Sequence, residues 1–208
     1  MELGSVTIDS TNSGLLAEAL AHNNKVTVVN LESAKVDIAA AVPLFQTNRS
    51  IETIRLSNTN IDDEGADKLG EAILANENCS IDDLWLDDNQ INEGAGKLVR
   101  ALKDRQRSLH CGRTRLWLGK NAIDDSGARV IASALRDSDN YGLDYLNLQD
   151  NPITGVGARS LHDAISPDDG IEISLVGNRF DPETTAMLRG NGHFVVGRCG
   201  FVSISGNM

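Results

Sequence analysis

From Ile51 to Ile165 the apolar positions of this chain repeat one pattern four times. Each copy begins with an apolar residue and two variable ones, then L-x-L-x-x-N-x-I, a Gly-Ala pair, and apolar residues at three- and four-residue spacing. The first copy carries Ile54, Leu56, Ile61, Gly65, Ala66, Leu69, Ala72 and Ile73, with Thr59 where the others have Asn. The second carries Leu84, Leu86, Asn89, Ile91, Gly94, Ala95, Leu98 and Leu102. The third has Leu116, Leu118, Asn121, Ile123, Gly127, Ala128, Ile131 and Leu135; the fourth has Leu146, Leu148, Asn151, Ile153, Gly157, Ala158, Leu161 and Ile165. Looser copies flank them. Val29, Leu31, Val36, Ala41 and Leu44 form one upstream, Val6, Ile8, Leu16 and Leu20 a shortened one before it, and Ile173, Leu175, Asn178, Phe180 and Leu188 one downstream.

The period changes inside each unit. The L-x-L segment alternates with period two, which predicts a short strand with one face buried. After Gly-Ala the spacing becomes helical, with one face apolar. Strands are therefore expected at Val6–Ile8, Val29–Leu31, Ile54–Leu56, Leu84–Leu86, Leu116–Leu118, Leu146–Leu148 and Ile173–Leu175, each followed by a helix. Asn89, Asn121, Asn151 and Asn178 stand where the strand turns away, and an amide there satisfies backbone donors and acceptors of the bend. Asp181-Pro182 suits a helix start, with Asp as cap and Pro in the first turn.

The motif, close to LxxLxLxxNxIxxxGAxxLxxAL, resembles the leucine-rich repeat in its long, ribonuclease-inhibitor-like variant. The resemblance extends over about seven units from Leu3 to Leu188. It implies an α/β fold, a curved leucine-rich-repeat solenoid with a parallel sheet on the concave face and helices on the convex face. A helix is ~10 Å wide whereas strands pair ~4.8 Å apart, so the helical side splays outward. Residues 1–192 would form the solenoid. Residues 193–208 would be a capping segment of the same domain, with short strands at Phe194–Val196 and Phe201–Ile204. The first unit has no capping element before it, so a partner or a further segment is expected over that end.

Successive strand residues point to opposite faces. With Leu84 and Leu86 inward, Trp85 points outward, in a column of Thr7, Asn30, Arg55, Trp85, Trp117, Asn147 and Ser174. A second outward column holds Ser5, Val28, Thr53, Asp83, Arg115, Tyr145 and Glu172, and a third Asp9, Glu32, Ser57, Asp87, Gly119, Gln149 and Val176. Both tryptophans of the chain and one of its two tyrosines thus meet at the middle of one face. Aromatic anchors ringed by charge have the composition of an interface hot spot. The expected partner-binding residues are Trp85, Trp117, Tyr145, Asp83, Asp87, Asp88, Arg115, Arg55 and Asn147. A plain alternative stands beside this: neighbouring rings stack on one another and stabilise the sheet alone.

Composition narrows the partner. A net charge of −11 opposes nucleic acid and anionic membranes and favours a basic protein. Aromatics are only 4% of residues, so the core must consist of Leu, Ile, Val and Ala. No apolar run reaches the ~18 residues of a membrane span, and the start lacks the basic and apolar stretches of a secretory signal. Cys79, Cys111 and Cys199 are an odd number without CxxC spacing, which suggests packing roles in the cytoplasm or another reducing compartment. His22, His110, His162 and His193 are scattered, and the Asp-Asp pairs lack the calcium-loop spacing. No metal, cofactor or catalytic group is therefore expected. The leading expectation is a non-enzymatic interaction module, whether adaptor, inhibitor, regulator or linker, that grips a protein on the concave face. Two alternatives are a GTPase-activating protein like that of the Ran GTPase, which has similar repeats, and the sensor portion of a larger receptor.

Overall fold

The computed structural model describes residues 10–104, 114–136, 142–166 and 168–196. Strands and helices alternate from α1 (Ser10–Ala21) and β1 (Val28–Asn30) through α2 (Ile38–Thr47), β2 (Thr53–Arg55), α3 (Asp63–Ala75) and β3 (Asp83–Trp85). They continue with α4 (Ala95–Asp104), β4 (Thr114–Trp117), α5 (Asp125–Arg136), β5 (Leu143–Asn147), α6 (Gly155–His162), β6 (Glu172–Ser174), α7 (Pro182–Asn191) and β7 (Phe194–Val195). The strands make one seven-stranded sheet in chain order, every pair parallel. The architecture is the α/β solenoid that the repeat predicts.

One apolar layer joins sheet and helices. Leu84, Leu86, Leu116, Leu118, Leu146 and Leu148 are fully buried, as are Leu98, Leu102, Ile131 and Leu161 on the helices that cover them. Each such side chain contributes about 1.5–3 kcal/mol by leaving water. Most strands begin one residue earlier than expected, Asp83–Trp85 in place of Leu84–Leu86, while β4 begins two earlier and β5 three, and the second leucine still serves the sheet. The amide of Leu86 donates to the carbonyl of Trp117 at 2.8 Å, and Leu56 donates likewise to Trp85.

Two residues on, the chain bends through the left-handed region at Ser33, Asn58, Asp88, Lys120, Asp150 and Gly177. Asn and Asp tolerate that conformation better than most side chains. The Asn slot then secures the bend across units. The side-chain amide of Asn89 donates to Leu56 O and Leu86 O, and its oxygen accepts from the amides of Thr59 and Ile61. Asn151 repeats this against Leu118, Leu148, Asn121 and Ile123.

The Gly-Ala pair has a packing cause. A Cβ on Gly157 would lie 2.6 Å from Asp125 Oδ1, and one on Gly94 would lie 2.8 Å from Asp63 Cα. At these two positions the start of one helix is pressed against the start of the one before it; in α7 the same slot holds the buried Thr184.

A second ladder lies at the opposite end of the helices. Asn48 donates to Leu20 O and Asn23 O, and Asn76 donates to Phe45 O and Asn48 O. These amides cover helix-end carbonyls that would otherwise be orphaned. The expected strand Val6–Ile8, the second tail strand Phe201–Ile204, and Cys111, Cys199 and His110 lie outside the described residues. The first tail segment is found as β7, where Phe194 pairs with Ile173 and is 7% exposed over the end of the core.

Candidate functional site

The observed register sets Arg55, Trp85, Trp117, Asn147 and Ser174 side by side. The neighbouring column is Thr53, Asp83, Arg115, Tyr145 and Glu172. The rings of Trp85 and Trp117 stack with centroids 4.2 Å apart and planes at 7°, and Tyr145 leans on Trp117 at 5.0 Å and 54°. Arg55 places its guanidinium carbon 5.4 Å from the Trp85 ring centre. At such an exposed site a cation–π contact is worth about 0.5–1 kcal/mol. Both tryptophans are half-buried, and neither indole Nε1 has an acceptor.

The charged residues divide by what holds them. Arg115 Nη2 donates to Asp83 Oδ2 at 2.6 Å, with the arginine side chain 52% exposed and the aspartate 14%. Asp83 Oδ1 is buried without a donor. Asp87 accepts the Gly119 amide at 2.8 Å; burial pushes its carboxyl above the usual carboxylate range despite that bond. Asp88 is exposed at the left-handed bend.

Asn147 departs from its expected place on the surface. It is 3% exposed, and its side-chain oxygen accepts the amide of Gln149 at 2.9 Å. Asn30, in the same column, does the same for Glu32. A short amide side chain turns back to the bend, leaving little to offer a partner.

Asp144 was not singled out by the sequence. Strict alternation puts it inward, opposite Thr114. The register instead shifts at Thr114/Arg115, so that Leu143 pairs with Thr114 and Tyr145 with Arg115. Leu143 takes the buried position at 1% exposure, and Asp144 is the extra residue. Leu143 stands three residues before Leu146, whereas its partner Thr114 stands two before Leu116, so the strand of Leu143 carries one extra residue there. The result is an open depression of about 900 Å³ at the N-terminal ends of the strands, lined in part by Asp82, Asp83, Arg115, Asp144, Tyr145 and Glu172.

This sheet-and-helix repeat defines a solenoid whose open sheet face carries both tryptophans and Tyr145. A family model described as "Leucine Rich repeat" matches residues 47–70 and 143–161, and the chain is a leucine-rich repeat protein. It is 28% identical over 144 residues to NACHT, LRR and PYD domains-containing protein 14 of Mus musculus. That alignment covers 68% of this chain and 14% of the mouse protein, so the chain spans a small part of that relative. Among solved structures it is similar to a chain titled "Leiomodin-1 Actin-Binding Site 2 (ABS2)", at a TM-score of 0.51 and 20% identity, covering 67% of this chain and 79% of that one. A tropomodulin C-terminal domain from Caenorhabditis elegans gives a TM-score of 0.49 at 16% identity, covering 76% and 91%. Among the described residues no helix is long and apolar enough to cross a membrane.

Proposed function

We propose that this chain is a non-enzymatic protein-interaction module whose partner seats on the open sheet face, centred on Trp85 and Trp117. The observation that carries the reading is the continuous ring system of Trp85, Trp117 and Tyr145 on the open sheet face, flanked by Arg55, Asp83 and Arg115. Large rings present apolar area at low entropic cost and dominate binding energy at interfaces. The net charge of −11 favours a basic partner and speeds its approach. The repeat family and the leiomodin-like fold agree with a binding role; they carry no particular partner to this chain.

A second reading is that the rings are only a structural ladder. The near-parallel Trp85–Trp117 stack favours it, since each ring covers a face of the other. The two readings separate in an affinity capture from the native source, with wild type beside a Trp85→Ala/Trp117→Ala double variant. The interaction reading predicts a captured protein that the folded double variant fails to retain. Retention by both forms would overturn it.

A further inference from the structure

We propose that the depression beside the tryptophans seats an arginine side chain of the protein partner. This rests on the sheet face being the binding surface. Among the described residues, five carboxylates line the depression, from Glu52, Asp82, Asp83, Asp144 and Glu172, beside the guanidinium of Arg115. The imbalance is not the whole case. Asp83 Oδ1 and Asp144 Oδ2 are each buried without a hydrogen-bond donor. A buried acceptor on a charged group that lacks a donor is costly, so the free face holds two carboxylates whose hydrogen bonding is incomplete. Asp144 is left without a cross-strand partner by the register shift at Thr114/Arg115.

The chemistry selects the side chain that completes this arrangement. A guanidinium is planar, offers donors in a fork to carboxylates and stacks on aromatic faces. Trp117 and Tyr145 supply the ring walls of the same depression. The protein already displays both modes with its own residues: Arg115 donates to Asp83, and Arg55 lies over Trp85. A partner arginine would extend that pattern. Its fork would reach the unfilled side of Asp83 and the oxygen of Asp144, with small rotations about the soft terminal torsion of each carboxylate. Arg115 holds the other Asp83 oxygen and repels the incoming charge, so it tempers affinity.

The test is a selection of short random peptides displayed on phage against wild-type protein. Affinities are read by titration calorimetry, which also serves variants that lack Trp85 and Trp117. The expected result is enrichment of arginine over lysine. Binding should weaken about ten-fold in the Asp83→Asn/Asp144→Asn variant, as for loss of one charge-assisted hydrogen bond. Replacing the selected arginine by citrulline, a neutral isostere, should weaken binding similarly without altering the protein, and Arg115→Gln should tighten it. Equal enrichment of lysine, or indifference to citrulline, overturns the arginine assignment. Selected peptides without arginine that still require Trp85 and Trp117 would sink this inference and leave the sheet-face reading intact. Peptides indifferent to the tryptophans and to both aspartates, or no selected peptides at all, would contradict both.

Discussion

The indole of Trp117 lies flat on that of Trp85, with 4.2 Å between ring centres. Parallel strands sit ~4.8 Å apart, so two large rings in the same slot of adjacent units must meet face to face. The arrangement is a mixed gain. Aromatic pairing adds about 0.5–1.5 kcal/mol beyond burial, while each buried N–H without an acceptor costs about 1–3 kcal/mol. Both Nε1 atoms are in that condition. The ring contact and the two unpaired N–H groups therefore roughly offset, and the stack by itself adds little net stability.

Leu118 is fully buried between the sheet and its helices. Leu118→Ala should cost about 2–5 kcal/mol from lost transfer energy and the cavity left behind. Asp67, whose side chain is 45% exposed beside Lys97, is the control, and Asp67→Ala should change stability by less than about 0.5 kcal/mol. Urea midpoints measure both; equal effects would contradict the repeat register.

Two glycines should respond with opposite sign to the same methyl group. On Gly157 it would meet Asp125 Oδ1 at 2.6 Å and Ile153 Cγ2 at 2.9 Å, so Gly157→Ala should destabilise by about 1–3 kcal/mol. Gly190 lies inside α7 with nothing within 4 Å of an added Cβ. Gly190→Ala should raise the melting temperature, through a gain of up to about 1 kcal/mol in helix propensity. A stabilised Gly157→Ala protein would show that adjacent helices are not pressed together there.

The acid limb of stability should trace to the helix starts. Asp124 is lowered to about 2, chiefly by the Ser126 hydroxyl. For Asp125, burial raises the pKa, but hydrogen bonds from Thr154 and Gly157 outweigh it and the net shift is downward. Carboxyls depressed in the folded state stabilise it above the unfolded pKa, near 3.8, and lose that contribution as pH falls through the folded value. Asp125→Asn should lower stability at neutral pH and flatten its fall below about pH 4. Asp87 has the opposite sign, because burial raises its pKa. Asp87→Asn should remove a cost at neutral pH and keep the acceptor for Gly119. Urea midpoints across the acid range check both signs, and a matching loss at the two positions would contradict the assignment.

Much of the sheet was legible because its period is two and its inward residues are uniformly apolar. From Trp85 between Leu84 and Leu86 follow both the facing of the strand and its neighbours, and the columns hold at Asp83–Arg115 and Trp85–Trp117. Thr59, in the Asn slot, was also placed by spacing, and its amide and hydroxyl both donate to the Asn89 side-chain oxygen. The failures are local and polar. Asn147 was placed outward by the same alternation, but nothing in spacing tells that its amide prefers the Gln149 N–H to solvent. Asp144 was hidden because alternation assumes an even ladder, and here Leu143 rather than Asp144 pairs with Thr114. The Asn48–Asn76 ladder was missed because its partners are main-chain carbonyls about one unit earlier in the chain, which side-chain patterns do not reveal.

The most direct measurement is calorimetric affinity for the captured partner, made on wild type, Trp85→Ala and Trp117→Ala, with melting temperatures taken alongside. A hot spot at the centre of the sheet face predicts that each substitution costs about 2 kcal/mol or more of binding energy while the chain stays folded. Added salt should weaken the wild-type association, because exposed charges such as Asp88 and Arg115 are screened within ~8 Å. Unchanged affinity with a lowered melting temperature would contradict the account and make the tryptophans a structural ladder.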